Sequence, residues 1–172
     1  MSKNSKVLPK QVVDFSVYNN SKLIGTGDEM DMPDVDFKTY TAQTPGGDID
    51  LPTLMTENME QETPFDVLDS EAAGLVSVGD TTSLTIRGAV QCVDPDSHGL
   101  TYKQIKIEEK GITSKVAIGT LKRGDKMDSS ITNNLTYIKV TLDNKVLLMI
   151  DKLTGECVVN GKDIKSVISG LL

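Results

Sequence analysis

The feature that most constrains the fold is an alternation of apolar and polar residues at a period of two. Residues 11–18 place Val13, Phe15 and Val17 on one side, with polar residues between them. The same spacing returns at residues 83–92, 102–108, 115–120, 139–142 and 146–151. A β-strand points successive side chains to opposite faces, so this period is typical of strands with one packed and one wet face. The pattern predicts a mainly β fold.

Short turn signals separate the predicted strands and favour antiparallel hairpins. Asn19-Asn20 follows the first strand, Pro45-Gly46-Gly47 divides two alternating stretches, and Asp143-Asn144 divides two more. Asn, Asp and Gly tolerate the positive φ angles that tight turns require. We therefore expect residues 34–55 to form one hairpin and residues 139–150 to form another.

Two stretches depart from the alternation and indicate short helices. Residues 67–76 have a helix-forming composition, which predicts a short helix ending near Gly79. Ile164, Val167, Ile168 and Leu171 occupy positions i, i+3, i+4 and i+7 of a second, amphipathic helix. The chain shows no internal repeat and no low-complexity linker. We expect one all-β domain over residues 11–172 with one or two helices, preceded by a mobile arm over residues 1–10.

The formal net charge of −7 is concentrated in one segment. Residues 28–70 carry twelve acids and a single base, Lys38, whereas residues 1–27 and 71–172 are both slightly basic. A block this acidic is often a solvated tail. Apolar residues alternate with the acids here, which instead favours a hairpin with one packed face and one acidic face.

Composition argues against several classes of protein. One His and two Cys are too few for the clusters that hold transition metals. An acidic chain lacks the surplus of Lys and Arg that neutralises nucleic-acid phosphates. The longest apolar run, Val146–Ile150, is too short to span a membrane, and the polar N-terminus predicts no secretory signal. Cys92 and Cys157 are expected to be buried reduced thiols.

No motif for catalysis or nucleotide binding is complete, because required residues are missing from the required positions. Asp94–Gly99 begins like a calcium loop, but His98 and Ile105 stand where oxygen ligands are required. His98 has no accompanying nucleophile motif, so a polar hairpin turn is the simpler interpretation. Gly111–Lys115 and Gly25–Asp31 lack the phosphate-binding patterns. We predict no enzymatic activity, no cofactor and no metal site.

An ordered set of short motifs runs through the C-terminal two-fifths of the chain. A Gly-x-Leu-Lys-x-Gly-Asp element precedes a strand with Tyr and Lys, a tight turn, a strand ending in Ile-Asp, and Asn-Gly-x-Asp before the helix. The positions are Gly119, Leu121, Lys122, Gly124, Asp125, Tyr137, Lys139, Asp143, Asn144, Ile150, Asp151, Asn160, Gly161 and Asp163. This order resembles the major tail tube protein of contractile-tailed phages and phage-like contractile bacteriocins. Residues 12–41 resemble the family's opening hairpin, and residues 46–60 resemble its acidic-apolar strand.

The resemblance implies a β-sandwich or β-barrel subunit whose strands join those of its neighbours in a ring-wide barrel. Six-membered rings would stack into a hollow tube inside a contractile sheath. The implied partners are further copies, the sheath protein, baseplate and tail-terminator proteins, and a tape-measure protein in the lumen. DNA would pass through without specific binding, and the monomer would not insert into membranes. The implied location is a virion tail or phage-like particle assembled in the bacterial cytoplasm.

The acidic segment has a role in such a tube. A channel lined by carboxylates repels phosphates, so DNA slides through it without sticking. The residues expected to contribute are Asp34, Asp36, Asp48, Asp50, Glu57 and Glu60. The alternative places these acids on the outer surface or in contacts between rings.

Two other functions compete with a phage tail tube. One is the tube protein of a related injection system that moves protein cargo. The other is a carbohydrate-binding β-sandwich of a tail or baseplate, which the absence of Trp and the scarcity of other aromatic residues disfavour.

Overall fold

A computed structural model of the chain describes residues 8–24 and 28–171, and strands form most of this part. The strands are β1 (Leu8–Asn19), β2 (Lys22–Ile24), β3 (Phe37–Thr44), β4 (Gly47–Thr56), β5 (Glu60–Phe65), β6 (Thr82–Val93), β7 (Leu100–Ala117), β8 (Ser129–Leu142), β9 (Lys145–Asp151), β10 (Glu156–Val159) and β11 (Lys162–Asp163). The helices are α1 (Ser70–Ala73) and α2 (Ile164–Ser169). The predicted mainly β fold with short helices is confirmed. Of the predicted arm, residues 1–7 lie outside the described residues and Leu8–Lys10 begin β1.

One antiparallel sheet of nine strands organises the fold. Its order is β11-β10-β9-β8-β7-β6-β1-β2, and β5 pairs with the first half of β8. β3 and β4 form a separate two-stranded sheet. The hairpins expected over residues 34–55 and 139–150 are both present. In the part of the chain described, β2 and β11 end the large sheet, so a ring-wide barrel stays a prediction about the assembly.

Several tight turns use left-handed backbone where the sequence predicts them. Asp143 and Asn144 have φ angles of 48° and 64° between β8 and β9. Asn160 and Gly161 have φ angles of 49° and 77° between β10 and β11. The first turn lies one residue later than predicted, because β1 continues through Asn19 and the turn consists of Asn20 and Ser21.

The hydrophobic core lies on one face of the nine-stranded sheet. Its buried members are Val17, Ile24, Met59, Phe65, Ala72, Leu75, Leu84, Ile86, Ile107, Ile131, Leu135, Ile138, Ile150 and Cys157. Met30, Val35, Phe37 and Leu68 pack against these residues from the segments around β3 and α1. Val35 and Phe37 alternate with the exposed Asp34 and Asp36, so at this part of the acidic segment the predicted packed side is confirmed. Cys92 and Cys157 are both buried and free, as expected.

The first helix is shorter than the sequence predicts. α1 ends at Ala73 instead of continuing to Gly79. The carbonyl oxygen of Leu75 accepts hydrogen bonds from the hydroxyls of Thr82 (3.2 Å) and Thr113 (3.1 Å). These bonds to β6 and β7 hold this segment against the sheet. A longer helix would use the same carbonyl in a backbone hydrogen bond of its own, so the two arrangements compete.

The register between β7 and β8 shifts next to Gly111. A Cβ atom at this position would lie 2.6 Å from the backbone oxygen of Asn134. Only glycine therefore allows the two longest strands to approach this closely.

One ionisable side chain is buried in the core. Glu109 is 1% exposed, and its cross-strand neighbours on β6 and β8 are Leu84 and Ile138. Neither carboxyl oxygen has a hydrogen-bond partner among the described residues. Burial raises the pKa of Glu109 to about 8, so this carboxyl is mostly protonated at pH 7.

Candidate functional site

The β3–β4 hairpin exposes an apolar face. Tyr40 lies opposite Leu51, and Ala42 lies opposite Ile49. Tyr40 is 60% exposed, Ile49 47% and Leu51 41%. The side of β4 that carries Ile49 and Leu51 is predicted to be packed, and in the single chain it is instead largely exposed.

The opposite face of the hairpin is polar and acidic. Asp50 lies opposite Thr41, and Asp48 lies opposite Gln43. The Thr41 hydroxyl donates a hydrogen bond of 2.6 Å to the Asp50 carboxylate. Both carboxylates remain exposed, so the hairpin separates an apolar from an acidic surface.

The other four acids predicted to line a channel lie at the base of the hairpin and beyond it. Asp34 and Asp36 precede β3, Glu57 follows β4, and Glu60 begins β5. The backbone N–H of Glu57 donates to the carbonyl of Asp36 at 2.8 Å, which closes the base of the hairpin. All four side chains are exposed, but they do not share one strand face with Asp48 and Asp50. The channel lining stays a prediction.

The Gly-x-Leu-Lys-x-Gly-Asp element forms the loop between β7 and β8. Gly119 has a φ angle of 83°, and a Cβ there would overlap the carbonyl oxygen of Met127. The Lys122 ammonium lies 2.6 Å from the Asp125 carboxylate, and this hydrogen bond holds the pKa of Asp125 below its usual value. Gly124 also has a positive φ angle, 80°. Leu121, at the loop tip, is 88% exposed.

The next motif residues lie on or beside the wet face of the large sheet. The Lys110 ammonium is 5.4 Å from the centre of the Tyr137 ring. Desolvation, and secondarily the charge of Glu108, raises the pKa of Tyr137. Lys139 lies 3.9 Å from the Glu108 carboxylate. The Asp151 carboxylate accepts a hydrogen bond of 2.9 Å from a backbone N–H in the turn after β9.

The last motif organises the C-terminus. Asn160 and Gly161 make the final turn, and the Asp163 carboxylate caps α2 by accepting from the Ser166 N–H at 3.2 Å. Ile164 packs on the core. The predicted apolar face is wrong beyond this residue, because α2 ends at Ser169 and the side chains of Val167, Ile168 and Leu171 are 64%, 43% and 83% exposed. The motif residues thus build turns, caps and ion pairs, and Leu121 differs in having its side chain almost wholly in solvent.

His98 occupies an exposed turn between β6 and β7. The N–H of Asp94 donates to the carbonyl of Gly99 at 3.0 Å, and the N–H of Asp96 to the Asp94 carboxylate at 2.9 Å. The latter bond is the main cause that lowers the pKa of Asp94. The predicted polar hairpin turn is confirmed. Across residues 8–24 and 28–171, no three His, Cys, Asp or Glu side chains are grouped to hold a metal ion.

A groove at one end of the core is a feature that the sequence pattern does not indicate. Its apolar lining consists of Val90, Cys92, Ile105 and Leu142, and its polar lining consists of Lys103, Gln104, Asp143 and Lys145. Alternation identifies strands, but it does not show where one strand ends relative to its neighbour. Such a groove is therefore visible only in the folded chain.

Comparisons with known proteins agree with this architecture. The family model described as phage tail tube protein FII matches residues 9–168. Among solved structures, the chain is similar in fold to one described as the PVC sheath/tube terminator of an extracellular contractile injection system in the extended state. That similarity has a TM-score of 0.56 at 12% identity and covers 77% of this chain and 96% of the other. A search of curated protein sequences found no match.

In the part of the chain that the structure describes, no helix is long and apolar enough to cross a membrane. The family match spans nearly the whole chain, from the second residue of β1 to the penultimate residue of α2. The chain therefore belongs to the phage tail tube protein FII family.

Proposed function

We propose that this chain is the structural subunit of the inner tube of a contractile phage tail or phage-like particle. Copies associate into six-membered rings, and the rings stack into a hollow tube that delivers cargo across the target-cell envelope. The observation that carries the proposal is the β3–β4 hairpin, whose apolar face the rest of the described chain leaves uncovered.

Association of copies can cover the apolar face of the hairpin and pair its free strand edges. Fully burying one exposed Ile or Leu side chain is worth about 1.5–3 kcal/mol. β3 and β4 also leave one edge each without a strand partner in the described residues, and such edges tend to pair with other chains. A closed ring gives every copy the same contacts and leaves no unfilled site, which an open chain of copies does not.

The family and the structural neighbour support the choice of partners. Besides further copies, we propose a sheath protein, baseplate and terminator proteins, and a tape-measure protein inside the lumen. DNA in transit makes no specific contact. The role is structural, without catalysis, and the tube assembles in the bacterial cytoplasm.

The exposed acids give the channel wall its charge in this proposal. Asp48 and Asp50 occupy the hairpin face opposite its apolar residues, so burying the apolar face leaves these carboxylates in water. Asp34, Asp36, Glu57 and Glu60 are also exposed and extend the same negative potential. A negative wall repels DNA phosphates and lowers friction during passage. A density map of the tube with these carboxylates away from the channel would remove this part of the proposal.

Negative-stain microscopy of the purified chain tests the assembly. We expect six-fold rings or hollow tubes from the wild type and their loss in the double variant Tyr40→Asp/Leu51→Asp. The matched control is Val78→Asp/Leu153→Asp, which places the same two charges at loop side chains that are 87% and 83% exposed. A wild-type chain that stays monomeric at every concentration would overturn the proposal.

A tube that carries protein instead of DNA is the second candidate, and the similarity to an extracellular contractile injection system favours it. Particles purified from producing cells distinguish the two. Nuclease-protected DNA indicates a phage tail, whereas protein cargo in the tube indicates a protein-secreting system.

A further inference from the structure

The large sheet has a step at the end where β8 turns back. The last residue pair between β7 and β8 is Ile105 with Leu142, and the N–H of Asp143 donates to the carbonyl of Gln104 at 3.0 Å. β7 continues beyond this pair for five residues, paired with β6 on its other side. Residues 100–103 thus present a strand edge that, within the described chain, has no pairing partner on the β8 side.

The groove described above lies beside this open edge. Val90 and Cys92 pair across β6 and β7 with Lys103 and Thr101, so the groove and the edge share the same stretch of β7. Leu142, at the step, is 37% exposed. The buried hydroxyl of Thr101 has no hydrogen-bond partner among the described residues. The partly exposed apolar lining lacks the neighbour that a further strand would provide.

We propose that this step receives the β3–β4 hairpin of a second copy, with β4 pairing along residues 100–103 and the apolar hairpin face filling the groove. The inference rests on the tube function proposed above and names the surface that one subunit offers to the next. It assigns the hairpin and the groove to the two sides of a single contact between copies.

The spacing of residues along the two strands permits this contact. Residues two apart on a strand share a face and lie about 7 Å apart, so Ile49 and Leu51 are spaced like Thr101 and Lys103 on β7. A strand added at an open edge gains backbone hydrogen bonds, while its alternate side chains enter the adjacent pocket. Asp48 and Asp50 then face away from the groove and remain hydrated.

Charge supports the same pairing. Lys103 and Lys145 lie on the groove rim, with Asp143 as the one acid; the Lys103 ammonium is 3.1 Å from its carboxylate. Residues 34–57, which include the hairpin and its base, carry five acids and one base. Opposite charge steers the two surfaces together, and the long Lys side chains can reach the carboxylates around the edge of the docked strand.

A charge placed in the groove tests the contact. We expect Leu142→Asp to raise the concentration needed for ring or tube formation about tenfold or more, since a desolvated carboxylate would face apolar side chains. Val78→Asp is the control of equal charge outside the groove. The monomer fold of each variant is verified by its thermal unfolding, and Lys103→Glu/Lys145→Glu provides a milder second variant that leaves the apolar lining intact. Wild-type assembly together with unchanged assembly of both groove variants would overturn the inference while the tube function stands.

Cross-linking of mixed copies identifies the two surfaces directly. Ile49→Cys in one copy and Leu142→Cys in another should form a covalent heterodimer on oxidation under assembly conditions. Ile49→Cys mixed with Val78→Cys is the control. All copies carry Cys92→Ala, because Cys92 lines the groove that Ile49 would enter, and the native Cys157 is buried. A cross-link only in the first mixture supports the contact, and equal cross-linking in both mixtures refutes it. A wild-type chain that never assembles overturns the tube function itself.

Discussion

The nine-stranded sheet and the β3–β4 hairpin are built from the same kind of amphipathic strand, yet they bury it differently. In the large sheet, the apolar faces of β6, β7 and β8 contact a core covered by the segments around β3 and α1. In the hairpin, Tyr40, Ile49 and Leu51 remain between 41% and 60% exposed. Strand periodicity thus specifies that a face will be covered, but it leaves open whether the same chain or another one covers it.

The largest expected difference comes from truncating one Ile in each region. Ile131→Ala removes a fully buried side chain from β8 and should lower the free energy of unfolding by about 2–5 kcal/mol. Ile49→Ala, in the hairpin, should change it by about 0.5 kcal/mol or less and instead weaken assembly. Urea denaturation of the monomers measures the first quantity, and the critical concentration for tube formation measures the second. Equal destabilisation by the two variants would erase the distinction between the regions.

Glu109 makes the stability of the large sheet depend on pH. Its pKa is about 8 in the folded chain against an ordinary 4.5, so the folded chain holds a proton that the unfolded chain has released. Stability is therefore greatest below pH 4.5 with respect to this group and decreases as the pH rises to about 8. At pH 7 the loss is about 3 kcal/mol. Glu109→Met should remove this slope.

Urea unfolding between pH 5 and pH 9 measures the effect, with the wild type and Glu109→Met compared at each pH. The two free energies should diverge as the pH rises, because all other groups titrate in both proteins. Parallel curves would show that the carboxyl finds a partner or water that stabilises its charge.

Two glycine-to-alanine variants compare the backbone of the large sheet with that of the hairpin. Gly111→Ala forces a methyl group against the Asn134 carbonyl between β7 and β8 and should cost about 1–3 kcal/mol of global stability. Gly47→Ala, in the hairpin turn, meets open space but strains a φ angle of 125°. That strain should open the hairpin locally and leave global unfolding within about 0.5 kcal/mol. Hydrogen exchange of the β3 and β4 amides, read beside urea denaturation, tests both expectations.

The smallest effect is expected from neutralising the acidic hairpin face. Asp48→Asn/Asp50→Asn should leave monomer stability within about 0.5 kcal/mol, since both side chains are exposed. Thermal unfolding at low and high salt provides the measurement. A large loss at either ionic strength would show that these acids hold the hairpin together and do not simply face water.

The sequence predicts local structure in this chain well, and its limits have physical causes. Asp143-Asn144 and Asn160-Gly161 are tight turns because few other residues accept left-handed backbone, and this property is local. The truncation of α1 depends on the Leu75 carbonyl meeting hydroxyls from β6 and β7, which are distant in sequence. Sheet order and the step beside Leu142 likewise depend on which strands meet.

The functional surfaces, too, are predicted by the sequence only in part. The acidic and apolar faces of the hairpin follow from alternation around Pro45-Gly46-Gly47, although alternation also suggests that Ile49 and Leu51 are covered. Glu109 lies two and four residues after Ile107 and Ile105 on β7. Residues at this spacing share a strand face, so the alternation would have placed Glu109 on the packed face. Charge alone argues against burying a carboxyl, and only the folded environment, with Leu84 and Ile138 beside it, shows which tendency prevails.

The placement of the two cysteines has a consequence for redox chemistry. β6 carries Cys92 and β10 carries Cys157, with β7, β8 and β9 between them, which makes four strand spacings, or about 19 Å, across the sheet. The register also places Cys157 level with Leu84, eight residues along β6 from Cys92. A disulfide needs Cα atoms within about 7 Å. Burial also raises the pKa of the Cys157 thiol and so keeps it in its less reactive protonated form. A change from reducing to oxidising surroundings therefore leaves the folded chain without an internal disulfide between these two cysteines.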